Sequence, residues 1–68
     1  MVEVFKTNVQ DMDESEVLIY IIQKQVPNSC ITFDLDDCDN VLRVEAEDIS
    51  PKCVIDLLNN YGYLCEML

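Results

Sequence analysis

Apolar positions along this chain follow two rhythms in turn, a period of two and a period near 3.6, the side-chain repeats of strands and helices. Val2–Val9 reads as a strand, with Val2 and Val4 on one face and Phe5 on the other, so one of these sets falls on a face that no helix covers. Asp11–Glu16 is acidic and suits a helix start. Asp11, Asp13 or Ser15 offers an oxygen to cap the exposed N–H groups, and the carboxylates favour the positive end of the helix dipole. The pattern then predicts a helix to about Gln25, with Val17, Leu18, Ile21 and Ile22 as its inner stripe and Ile19 and Tyr20 beside it. Pro27 and Asn28 end that helix.

Ile31, Phe33 and Leu35 alternate with Thr32 and Asp34, the mark of a half-buried strand. Asp36–Asn40 is a polar turn, and Leu42, Val44 and Ala46 alternate with Arg43, Glu45 and Glu47 in the return strand. Ser50 is placed to cap a second helix, and Pro51 occupies its first position, where a missing N–H costs nothing. Val54, Leu58 and Tyr61 form the inner stripe of that helix. Gly62 ends it in the left-handed conformation that glycine tolerates. Tyr63–Met67 closes the chain as a strand, with Tyr63, Cys65 and Met67 on one face.

The order is βαββαβ across residues 1–68, with no linker, repeat or low-complexity segment, so the chain reads as a single domain. Parallel crossovers are right-handed, and each helix must bury one face on the sheet. The expected fold class is α+β: a ferredoxin-like βαββαβ sandwich, a four-stranded antiparallel sheet with two helices on one face. This topology gathers Asn8–Glu14, Asp36–Asn40 and Asn59–Tyr63 at one end. Pro27–Cys30, Asp48–Cys53 and both termini fall at the other.

Composition narrows the function. A chain of 68 residues buries only ~60% of its unfolded surface, which leaves little room for a substrate cavity beside a core. Net charge is −10, and the basic residues are Lys6, Lys24, Arg43 and Lys52. No basic face is available for phosphates, so nucleic acid is excluded as a partner, and an anionic membrane surface is disfavoured by the same sign. The longest apolar run, Val17–Ile22, is far short of a membrane span. Residues 1–8 lack the basic and apolar regions of a secretory signal, so the expected location is cytoplasmic, with four reduced thiols at Cys30, Cys38, Cys53 and Cys65.

There is no histidine, hence no imidazole base and no Cys–His pair, and the one glycine forms no phosphate loop. The chain is expected to be no enzyme and to carry no cofactor. Half of its acid lies at one pole: Asp11, Asp13, Glu14 and Glu16 from one loop, Asp36, Asp37 and Asp39 from another. Such crowding is either a solvated surface or a site for a cation or a basic partner. Asp36–Asn40 fails the calcium-loop pattern, having neither the mid-loop glycine nor the terminal bidentate glutamate.

The second half, with Val54, Leu58, Gly62 and Tyr63 in the pattern Val-x-x-x-Leu-x-x-x-Gly-Tyr, resembles a heavy-metal-associated domain, the small copper-chaperone module. Phe33-Asp34-Leu35 looks like that family's second strand. The resemblance implies the ferredoxin-like fold and an inward, core position for Cys65. It also implies a Met-x-Cys-x-x-Cys metal loop after the first strand. Anchored on Val17, the resemblance places Asn8 at the loop methionine and Gln10 and Asp13 at the two cysteines, and no cysteine precedes Cys30. Cu(I) takes soft thiolates, whereas an amide and a carboxylate are hard ligands.

The expectation is therefore a non-catalytic binding or protein-interaction module, degenerate at the metal loop. Its contact surface would be the acidic pole or the open sheet face, and its partner another protein or a second copy. The alternative is heavy-metal or divalent-cation binding through Cys38 and the acidic loops, with Cys38, Asp13 and Asp37 as weak candidate ligands. A redox-responsive thiol protein is a third reading.

Overall fold

The computed structural model of the chain describes every residue except Asp37. The elements are β1 (Val2–Thr7), α1 (Met12–Gln25), β2 (Cys30–Asp34), β3 (Val41–Glu45), α2 (Pro51–Asn60) and β4 (Cys65–Met67). They build a four-stranded antiparallel sheet in the order β2-β3-β1-β4, the ferredoxin-like arrangement. No helix among the described residues is long and apolar enough to cross a membrane.

Register decides which face of each strand is buried. Phe5 lies opposite Leu42 on β3 and Met67 on β4, and Leu42 lies opposite Phe33 on β2. Directly opposed residues share a face. Phe5, Leu42, Val44, Ile31 and Cys65 therefore form one apolar layer, which Ile22 of α1 and Val54 and Leu58 of α2 cover. Of the two sets left open in β1, Phe5 is the inward one, at 0% exposure; Val2 and Val4 face away from the helices.

The α1 stripe differs from expectation. Val17 is 59% exposed, and the buried row is Ser15, Leu18 and Ile22, with Ile19 and Val26 packed beside it. Residues 17–22 are apolar around more than a full turn, so periodicity alone does not set the phase of the helix. Ser15 is small enough to lie inside, and its hydroxyl is satisfied by the Met12 carbonyl at 2.6 Å. Tyr61 also leaves the expected stripe, at 55% exposure, because it is the C-cap of α2 and no longer follows the helical repeat.

Two strands are shorter than their sequences suggest. β1 stops at Thr7, whose hydroxyl accepts the Val9 N–H at 3.2 Å and turns the chain, leaving Val9 fully buried in the loop. β4 starts at Cys65 because Tyr63 and Leu64 are held by other partners. Tyr63 N–H donates to Leu58 O and Gly62 N–H to Asn59 O, both at 3.0 Å, with Gly62 at φ +90°. This is a complete Schellman closure of α2. Ser50 does stand at the α2 N-cap, but its side chain makes no capping bond.

A Cβ at Gly62 would meet no atom within 4 Å, so only the backbone conformation resists substitution. Gly62→Ala is expected to cost about 1–2 kcal/mol, the left-handed penalty of an L-residue, whereas Leu58→Ala should cost about 2–5 kcal/mol through the cavity it leaves. Urea denaturation of both variants checks the order. Equal losses would mean that the Gly62 turn carries more than its own conformation.

Candidate functional site

The site begins with helix-capping chemistry. Asp11 is the N-cap of α1, in an extended conformation, and its Oδ1 accepts the Asp13 N–H at 2.8 Å. Glu14 follows at the third helical position, where a capping box would fold it back on the chain. Here its Oε2 accepts the Tyr63 hydroxyl from the α2–β4 turn. In the same place the Leu64 N–H donates to Asn8 Oδ1 at 2.8 Å. Two bonds thus tie the β1–α1 loop and the first turn of α1 to the turn that closes α2.

The β2–β3 turn is tied to the same end from the other side. The Thr7 hydroxyl donates to Asn40 O at 2.6 Å, and the Thr7 N–H to Asp39 O at 3.2 Å. Asp34 Oδ1 accepts the Asp36 N–H at 3.2 Å, and Asn40 adopts a left-handed φ of 46°, a conformation asparagine tolerates. Lys6 Nζ stands 3.9 Å from Asp39 Oδ1, an exposed pair worth little in water. The three loops predicted to be neighbours are therefore joined, and they present Asp11, Asp13, Glu14, Glu16 and Asp36 to solvent.

Fit to a soft metal fails on the donor set. Exposure of Val17 moves the anchor of the family resemblance one residue to Leu18, which moves the loop positions to Val9, Asp11 and Glu14. Val9 is core, Asp11 caps α1 and Glu14 holds Tyr63. In neither register is any donor a thiolate: the first offers Gln10 and Asp13, and the second Asp11 and Glu14, whose carboxylates already accept hydrogen bonds within the domain. Of the weak candidates, Cys38 and Asp13 are exposed, and Asp37 lies outside the described residues. Among the described residues no group of three or more Cys, Asp or Glu side chains is placed to hold a metal ion.

The cysteines divide by environment. Cys65 is buried, and burial first, then the neighbouring Glu66 charge, pushes its thiol up to about 11. Cys30, Cys38 and Cys53 are exposed and free.

Sequence reasoning missed an open cleft of about 740 Å³ at the opposite end, between the α1 C-terminus and the β3–α2 connection. Its lining residues sit on loops that the topology placed together, but no residue pattern marks them as a cavity.

The fold and this surface define an acidic ferredoxin-like α+β domain with interlocked loops. No protein-family model matches the chain, and neither does any curated protein or solved structure.

A titration and an alkylation map follow from this geometry. The Tyr63 phenol is held above its ordinary value, first by its hydrogen bond to Glu14, then by desolvation and the Glu14 and Asp11 charges. Because the folded-state pKa is raised, the Tyr63–Glu14 bond is intact below the ordinary tyrosine pKa and is lost as pH rises through the folded value. Glu14→Ala should lower the apparent Tyr63 pKa in a UV absorbance titration; an unchanged curve would show that the bond is absent in solution. In the folded protein, iodoacetamide should modify Cys30, Cys38 and Cys53 and spare Cys65 at neutral pH, as mapped by mass spectrometry.

Proposed function

We propose that the chain is a non-catalytic binding module that engages a basic protein surface through its acidic loop pole. One observation carries this reading. The loops that bear the acid are cross-braced by side-chain and backbone bonds from Asn8, Glu14, Thr7 and Tyr63, so the backbone that carries the carboxylates is held in place before any partner arrives. Preorganisation lowers the ordering cost of association. A crowded array of one sign, held against its own repulsion, also steers an oppositely charged partner and raises its association rate.

The open sheet face is less suited to this role. By register it carries Val2, Val4 and Val41, interleaved with Lys6 and Arg43 and with Asp34, Glu45 and Glu66. Lys6 lies opposite Glu66, and the two cations nearly balance the three carboxylates, so the face has little net sign to offer. The excess acid of the chain lies on the helices and loops.

The test is an amide NMR titration with an oligolysine peptide, repeated with Zn(II) and Cu(I). The peptide should shift residues 8–14 and 36–40, weaken with added salt, and lose at least about fivefold in affinity in the Asp13→Asn, Glu16→Gln, Asp36→Asn variant. Saturable metal shifts that vanish in Cys38→Ser, with no response to the peptide, would replace this reading with metal binding.

A further inference from the structure

The cleft at the end opposite the acidic pole does not stand alone. It is lined by Gln25, Val26 and Pro27 of the α1 terminus and by Glu47, Asp48, Ile49, Ser50 and Cys53 around the start of α2. A second concavity of about 300 Å³ shares Gln25 and Cys53 with it and continues along α2 past Asp56, Leu57 and Asn60. Positions 53, 56, 57 and 60 fall on one face of a helix. The two spaces therefore form one groove that follows α2 from its first turn to its last.

The chemistry of this groove is two-sided. Val26, Pro27, Ile49 and Leu57 supply an apolar floor, and Glu47, Asp48 and Asp56 supply carboxylates. No lysine or arginine is among its lining residues. Lys24, next to Gln25 in sequence, has its ammonium 4.7 Å from the Tyr20 ring centroid. The α1 C-terminus and the α2 N-terminus both reach the groove, and their dipole ends, about −0.5 and +0.5 elementary charge, offset each other. Among the lining residues the charged side chains are Glu47, Asp48 and Asp56, all acidic.

We propose that this groove docks an extended cationic segment of a partner protein, with apolar side chains on the floor and lysine or arginine side chains paired to Glu47, Asp48 and Asp56. Length follows from geometry: a helix of ten residues spans about 15 Å, which about five residues of extended chain cover. The groove rests on the same view of the chain as a binding module, but it uses residues distinct from those of the acidic pole.

The probe is the blocked peptide Lys-Leu-Arg-Leu-Lys, with Glu-Leu-Glu-Leu-Glu as its control. Saturable amide shifts are expected at Gln25, Ile49, Cys53, Asp56 and Leu57. Alkylation of Cys53 should slow with bound peptide, while Cys30, which lines neither the groove nor the acidic pole, keeps its rate. The Glu47→Gln, Asp48→Asn, Asp56→Asn variant should weaken binding at least about tenfold. The Asp13→Asn, Glu16→Gln, Asp36→Asn variant should leave groove binding unchanged, so failure of the acidic-pole reading and failure of this one are separable. Equal affinity for the acidic control, shifts confined to other surfaces, undiminished binding in the groove variant, or no saturation up to about 1 mM peptide would each overturn the proposal.

Discussion

Phe5 occupies the strand that pairs with both β3 and β4, and its ring is completely removed from water. A slip of one residue in that strand would send Val4 and Lys6 inward and Phe5 out. Because Leu42 and Phe33 lie in register with Phe5 across the sheet, this single choice commits the whole sheet to one apolar face. Both helices must then lie on that face, with Ile22, Val54 and Leu58 supplying the other half of the core. Once both helices are on one side, the connections have only two ends of the molecule to occupy, and the placement of every loop follows.

The acidic pole depends on this arrangement in a second way. Like charges gathered at one end oppose compaction. Here the opposition is met locally: Asp11 is used as a cap, the α1 dipole favours the carboxylates of its first turn, and Glu14 accepts a hydrogen bond from the Tyr63 phenol. The same bonds that make the charge tolerable also fix its geometry. Stability and the candidate binding surface therefore share residues, and the surface is as rigid as the loops that carry it.

The remaining polar chemistry is dispersed over the fold rather than gathered at one place. The thiol that burial protects, Cys65, is part of the core, and the accessible thiols are separated onto the sheet face, the β2–β3 turn and the first turn of α2. The buried side-chain polar groups among the described residues all have hydrogen-bond partners. Thr7 and Ser15, the buried polar side chains, are spent on turning the chain and on packing α1. None is left poised toward a cavity.

The order of elements, the fold class and the clustering of three loops at one pole were legible from sequence, because alternation, caps and the Gly62 turn are local signals set by backbone sterics. The inward position of Cys65 was legible only through the family resemblance. The phase of α1 was not legible: six consecutive apolar residues satisfy several stripes equally, and only contact with the sheet selects Ser15, Leu18 and Ile22 over Val17. Likewise Tyr61 fits the α2 repeat in sequence but falls at its cap, where the helical geometry that gives the repeat its meaning has ended. The Tyr63–Glu14 and Leu64–Asn8 bonds join residues about fifty positions apart, and the α2 groove is a space between elements. Sequence determined which local structures this chain forms. Tertiary structure alone decided which side chains meet and where a gap remains, because those depend on distances that no local pattern encodes.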